Sequence, residues 1–309
     1  VMAMPQFETG LGVVAASSSG ELEKGLITPP QSVEAQAYQA LVLGVRDYVT
    51  KNRFPGVIIG LSGGVDSALV LAIAVDALGA DKVRAVMMAS RYTADISWID
   101  AREMAQNLGV QYDEIPISNP VDALEHALAE QFKGLKLDAT EENIQARVRG
   151  TLLMALSNKT GRLVLTTGNK SEMAVGYCTL YGDMAGGFCV LKDVLKTDVY
   201  RLATYRNSIS AVIPERVITR APSAELADNQ VDQDNLPPHE LLDEIIKLAV
   251  EQDQDAAAII AQGFDSPIVH EILRKIKLNE YKRRQAPLGV RLAERAFGRD
   301  RRYPISSGY

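Results

Sequence analysis

Two cysteines and three histidines are all that 309 residues contain. Cys178 and Cys189 are too few for a disulfide scaffold or a zinc site. They read as reduced thiols of a cytoplasmic chain. His126, His239 and His270 stand at no metal-ligand spacing, and a histidine-based nucleophilic triad is disfavoured. No apolar run reaches the roughly 18 residues that a membrane span needs. The start, Val1-Met2-Ala3-Met4-Pro5, lacks the basic and apolar regions of a secretory signal. No internal repeat is visible. What is present is ordinary for a globular chain: 47% hydrophobic and 23% charged residues, enough for one large domain or two small ones.

The net charge of −6 is unevenly spread. Residues 225–255 hold ten Asp/Glu and one Lys, whereas 274–302 hold eleven Lys/Arg and three Asp/Glu. The basic stretch has few aromatics beyond Tyr281 and Phe297, so a solvated face or a polyanionic small molecule fits better than nucleic acid.

The chain is organised around Gly60-Leu61-Ser62-Gly63-Gly64-Val65-Asp66-Ser67. Val57-Ile58-Ile59 before it predicts a buried strand, and Ala68 to Leu78 after it predicts a helix closed by Gly79. Glycines between strand and helix let backbone N–H groups approach an anion, and the helix start adds unpaired N–H groups and a positive dipole end. Such a turn holds phosphate. Asp66 would repel it unless a cation lies between, which points to Mg²⁺. No Lys lies between Gly60 and Ser67, so this is not a Walker loop. Ser-Gly-Gly-Val-Asp-Ser resembles the PP-loop of ATP pyrophosphatases, which bind the pyrophosphate of ATP and release it.

Ala15 to Gly20 reads as flexible linker and Pro29-Pro30 as a stop. A helix is expected over 33–51, with Val33, Ala37, Leu41, Val45 and Tyr48 on one face. Further strands are expected at 83–89, 112–117 and 163–167, with helices at 98–108, 120–132, 140–158, 197–205, about 239–252 and 268–279. Alternating strands and helices imply a doubly wound parallel sheet flanked by helices, with ligands beyond the carboxyl ends of its strands. Both the glycine turn and Thr166-Thr167-Gly168-Asn169 fall there. Residues 219–239, polar and proline-bearing, read as a lid. Glu172 is placed to join Asp66 around Mg²⁺, which takes one or two carboxylates plus phosphate oxygens. Asn143, Arg147 and Gly150 share a helix face, and Lys196 starts a helix where only an anion would offset its charge.

Several stretches in order resemble the synthetase domain of NAD synthetases, from about Ser32 onward: Leu61 to Ser67; Asn143-Ile144-Gln145-Ala146-Arg147; Thr166 to Gly176; Tyr181-Gly182-Asp183; Leu195-Lys196; Arg220 to Leu226; and Glu280-Tyr281-Lys282-Arg283-Arg284. The PP-loop alone would not separate them from other PP-loop ligases or from thiolation enzymes; the later motifs do. The resemblance implies that ATP adenylates deamido-NAD, pyrophosphate leaves, and ammonia displaces AMP to give NAD. It assigns Gly60, Leu61, Ser62, Gly63, Gly64, Val65, Asp66, Ser67, Thr167, Lys196 and Ser223 to ATP. It assigns Asn143, Arg147, Glu172, Tyr177 and Lys282 to deamido-NAD, Asp66 and Glu172 to Mg²⁺, and Asp66, Glu172 and Lys196 to catalysis. A homodimer is also implied.

The short ammonia-dependent members carry a Lys before Tyr-Gly-Asp and a later Asp; here Leu180 and about Gly187 stand there. The wording is nearer the glutamine-dependent members, which add an N-terminal amidase with a Cys-Glu-Lys site. Residues 1–31 are accordingly expected to be the linker and tail of such an upstream domain, and 32–309 the synthetase domain. A nucleotide-binding module without turnover is the other class; Asp66, Glu172 and Lys196 together argue against it.

Overall fold

The computed structural model describes residues 2–220, 225–227 and 237–306. Residues 2–31 form no helix; their isolated bridges join Ala3 to Ile27 and Ala16 to Leu22. The ordered elements begin with α1 (Val33–Lys51), β1 (Val57–Gly60), α2 (Val65–Leu78), β2 (Val83–Met87), α3 (Asp95–Leu108), β3 (Gln111–Glu114), α4 (Ser118–Leu128), α5 (Ala139–Thr160) and β4 (Leu163–Thr166). They continue with α6 (Lys170–Val175), β5 (Phe188–Cys189), α7 (Lys196–Ile209), α8 (Glu215–Thr219), α9 (His239–Ile246), α10 (Ala256–Ala261), α11 (Ser266–Leu278) and α12 (Glu280–Arg283).

The sheet has five strands in the order β3-β2-β1-β4-β5, all parallel. Alternating side chains serve two cores, as the two-residue period of a strand requires. Val57, Ile59, Ala85 and Leu165 join α1, α2 and α7 on one face; Ile58, Val86 and Val164 join α4 and α5 on the other. The expected doubly wound architecture is therefore present. The chain reverses direction across the sheet between β1 and β4, so the turns after these two strands flank the crevice where ligands bind in such sheets.

Three expectations need correction, and a fourth falls largely outside the described residues. α2 starts at Val65, so Asp66 and Ser67 belong to its first turn rather than to the loop before it. The buried stripe of α1 is Ala35, Tyr38, Leu41, Val45 and Val49, and Val33 is exposed. That stripe is covered by α2 and α7, so it requires no second chain. The fifth strand, β5, and the helix α6 were not anticipated, because two and six residues are too short to show a period. The proposed lid, 219–239, falls largely on 221–224 and 228–236, outside the described residues.

Helices α9, α10 and α11 form a separate apolar cluster with Ala174 and Val175 of α6. Lys170, fully buried, ties this unit to the sheet. Its Nζ lies 2.7 Å from Glu251 and 2.8 Å from Asp193, and donates to the Arg295 carbonyl at 3.2 Å. A buried charge is tolerable only when paired in this way. Among the described residues no helix is long and apolar enough to cross a membrane. Lys170→Ala, which strands two carboxylates, is expected to cost about 3–5 kcal/mol in urea unfolding; a loss under about 1 kcal/mol would show that the triad does not hold the unit in place.

Candidate active site

Ser62 to Ser67 wrap the start of α2 through their own hydrogen bonds. The Ser67 hydroxyl donates to the Gly64 carbonyl at 3.0 Å and accepts from Ser62 N at 3.2 Å, and the two serine hydroxyls lie 3.1 Å apart. Gly63 has φ +81°, and a Cβ there would stand 2.6 Å from the Ser97 carbonyl oxygen. Only glycine fits that position. Gly64 caps α2 without a side chain, which leaves the first N–H groups of the helix for an anion.

Asp66 is gripped from two other helix starts. Asn169, the N-cap of α6, donates Nδ2 to Asp66 Oδ1 at 2.9 Å, and Lys196, the first residue of α7, pairs with Asp66 Oδ2. Asn169 and Glu172 form a reciprocal capping box: Glu172 N donates to Asn169 Oδ1 at 3.0 Å and Asn169 N to Glu172 Oε2 at 3.2 Å. Burial works against the Lys196 ammonium, but Asp66 and Glu172 outweigh it and raise its pKa, so it stays charged. Its positive charge at a helix start is thus balanced by carboxylates already in the fold.

Ser62 to Ser67, Glu172 and Lys196 line one cleft of about 210 Å³ with Thr167, Tyr177, Cys178, Asp183, Arg220 and Glu225. An adjoining slot of about 160 Å³ shares Ser62, Thr167 and Asp183 with it and is walled by Gly60, Leu61, Val86, Met88 and Val164 at the strand ends. Of the residues expected to contact ligands, Gly60 to Ser67, Thr167, Glu172, Tyr177 and Lys196 therefore converge on two connected cavities. Ser223 lies outside the described residues.

Asn143, Arg147 and Lys282 are placed differently. Asn143 accepts from the Thr179 hydroxyl at 2.7 Å, and Arg147 donates to the Leu180 carbonyl at 3.3 Å, so both hold the loop after α6 rather than the wall of the cleft. Lys282 Nζ donates to the carbonyls of Gly176 and Cys178 at 2.7 and 2.8 Å. The neighbouring Arg283 is buried against the carbonyls of Met173 and Ala174 at the end of α6, and Arg284 pairs with Glu280. The basic triplet is thus largely a helix-end clamp and not a cationic patch. Other C-terminal cations also pair, Arg274 with Glu271, Arg291 with Asp300, and Arg295 and Arg301 with Asp253.

Sequence reasoning missed two cleft residues and one buried residue behind them. Arg220 Nη2 donates to the Gly63 carbonyl at 3.3 Å and to the Ser97 hydroxyl at 3.0 Å, and Glu225 accepts from the Ser97 hydroxyl at 2.6 Å. The buried residue is Asn169, which holds Asp66; its signal is the Asn-Lys-Ser-Glu capping pattern. Asp183 opens to the solvent of the cleft, yet the protein crowded around it pushes its carboxyl up to about 6, against the pull of the Thr179 N–H. Burial pushes the thiols of Cys178 and Cys189 up to about 12 and about 11, which makes both poor nucleophiles at neutral pH.

Among the described residues no group of three or more His, Cys, Asp or Glu could hold a metal alone. Two carboxylates on one cleft wall beside an anion-binding turn still suit Mg²⁺, which completes its shell with phosphate oxygens and water.

A doubly wound parallel sheet carrying a Ser-Gly-Gly-Val-Asp-Ser turn at its switch point defines a PP-loop nucleotide-binding protein of the ATP pyrophosphatase type. The model of the NAD synthase family matches residues 37–286, and the chain belongs to that family. It is 57% identical over 283 residues to a glutamine-dependent NAD(+) synthetase of Acinetobacter baylyi, covering 91% of this chain and 52% of that protein. The structure of a glutamine-dependent NAD+ synthetase from Acinetobacter baumannii in complex with ADP superposes with a TM-score of 0.66 at 52% identity, covering 94% of this chain and 53% of that one. An NH3-dependent NAD synthetase from Campylobacter jejuni in complex with nitrate gives a TM-score of 0.66 at 25% identity, covering 82% and 96%. The chain spans about half the length of the curated relatives it matches.

Gly63→Ala is expected to cost about 1–3 kcal/mol in urea unfolding, from a strained φ and the collision with Ser97. Gly64→Ala, whose Cβ would meet Ser62 Oγ at 3.4 Å, should cost less; equal costs would contradict the assigned loop geometry.

Proposed function

We propose that this chain amidates deamido-NAD to NAD at the expense of ATP. The observation that carries the proposal is the Lys196–Asp66 pair standing over the start of α2, in a cleft that also holds Glu172 and Thr167. In this reading the PP-loop N–H groups and α2 hold the β- and γ-phosphates. The slot walled by Val86, Met88 and Val164 takes the adenine ring. Asp66 and Glu172 would hold Mg²⁺, which supplies neutralisation of phosphate charge when bound.

The nicotinate carboxylate oxygen attacks the α-phosphorus and the α–β bridging bond breaks, so pyrophosphate departs. Ammonia then attacks the acyl carbon, its C–O bond to the phosphate breaks, and AMP leaves as the nitrogen loses a proton. Lys196 contributes a fixed positive charge beside the reacting phosphates, and the fold contributes orientation. Asn143, Arg147 and Lys282 serve the dinucleotide chiefly by shaping the loop of Tyr177 to Asp183. Ser223 is assigned to ATP by resemblance. We also propose residues 1–31 as a segment leading in from an amidase half, with glutamine the ultimate donor in a full-length enzyme in the cytoplasm, and a homodimeric synthetase core. A monomeric mass by light scattering at micromolar concentration would contradict the dimer.

Asp66→Asn and Glu172→Gln are each expected to lower kcat about 100-fold with the fold retained. Near wild-type rates at limiting Mg²⁺ would remove both carboxylates from the site.

The 309-residue chain alone is expected to use ammonium but not glutamine. Both its thiols sit within the synthetase motifs with pKa values raised by burial, and glutamine hydrolysis needs an activated nucleophile. At fixed total ammonium the rate should rise with pH as free NH₃ increases. Robust synthesis from ammonia-free glutamine would overturn this.

A further inference from the structure

One buried carboxylate outside the cleft joins the two helix starts that grip Asp66. Asp243 sits in α9 and is 3% exposed. One of its oxygens accepts from the Ser171 hydroxyl, and the other from the backbone N–H of Thr197 at 2.8 Å. The Ser171 hydroxyl oxygen in turn accepts from the backbone N–H of Lys196 at 2.9 Å. Ser171 lies between Asn169, which holds Asp66, and Glu172, which faces the cleft. Lys196 and Thr197 are the first two residues of α7.

The contacts close a ring. From Asp66 it runs through Asn169 along α6 to Ser171, through Asp243 to the start of α7, and through Lys196 back to Asp66. No side chain of its own N-cap caps α7, because Leu195 stands there. Asp243 supplies the missing acceptor from another helix, and its negative charge suits a helix N-terminus.

We infer that Asp243 is a positioning residue for the site: it fixes the start of α7 against the start of α6, and so sets the Lys196 ammonium on Asp66 and Glu172 on the cleft wall. It touches no reacting atom. The inference rests on the amidation reading for its effect on turnover, but not for its effect on Lys196.

The placement also separates positioning from simple docking of the helical unit. Lys170 is anchored to the same unit through Glu251, by a different network. If Asp243 merely glued the unit down, its loss would free Lys170 and Lys196 alike.

The test is competitive acetylation with trace acetic anhydride, quantified by mass spectrometry of peptides containing Lys196, Lys170 and the exposed reference Lys51, alongside kcat and KM for ATP. In Asp243→Ala, acetylation of Lys196 should rise about threefold or more, with Lys170 unchanged. kcat should fall about tenfold, and more than KM rises. Asp243→Asn, which still offers an oxygen to Thr197 N–H, should restore most of both. Ser171→Ala, which removes the links to Lys196 N and to Asp243 but leaves Asp243 on the Thr197 N–H, should reproduce the labelling change if the alanine variant at 243 does not fold.

Unchanged Lys196 labelling, or an equal rise at Lys170 and Lys196, would overturn the inference. So would a kcat within about twofold of wild type in an Asp243→Ala variant of an active enzyme. A wild-type chain that makes no NAD would instead defeat the amidation reading and leave the labelling result to decide the role of Asp243.

Discussion

The ion pair between Lys196 and Asp66 is the constraint on which the site depends. Asp66 stands in the first turn of α2, where a carboxylate favours the helix dipole but opposes an incoming phosphate. Lys196 stands at the start of α7, where an ammonium opposes the dipole. Each is badly placed alone and well placed beside the other. The pair therefore fixes two helix starts at one point and leaves a cleft that is charged but locally balanced. An anion bound by the loop and a cation bound by the carboxylates would add to this balance without rebuilding it.

The sheet makes the meeting possible. Because β1 and β4 are parallel neighbours at the switch point, the turns after them open on the same crevice. β5 is only two residues long, but its pairing with β4 directs the chain toward the start of α7. The helical unit of α9 to α11 lies outside the sheet and is joined to the site through α6 and α7, by way of Asp243 and the Lys170 triad. Its apolar cluster holds those acids in place, and the acids hold the helix starts.

The parts of the site encoded by neighbours in sequence could be read from the residues alone. The strand Val57-Ile58-Ile59, the glycine turn and Asp66 lie within a dozen positions, and each has a local physical reason for its conformation. The same holds for the order of strands and helices. Contacts between distant segments could not be read this way. Arg220 reaches Gly63 across 157 positions, and Asn169 reaches Asp66 across 103. Lys282 and Arg283 look like ligand-seeking cations in sequence because nothing near them predicts that the carbonyls of α6 absorb their donors. The misread face of α1 has a similar cause: Val33 is apolar, but it sits at the mouth of the helix, where no neighbour covers it.

The reaction we propose splits ATP between its α- and β-phosphates to activate a carboxylate. The loop carries no Walker lysine to draw charge onto the γ-phosphate, and its charged pair stands at the start of α2 instead. The most direct measurement is phosphorus NMR of the chain incubated with Mg-ATP, deamido-NAD and ammonium, with NAD quantified in the same sample. The proposed reaction yields AMP, pyrophosphate and NAD in equal amounts. ADP with orthophosphate, or ATP cleavage without NAD, would contradict it.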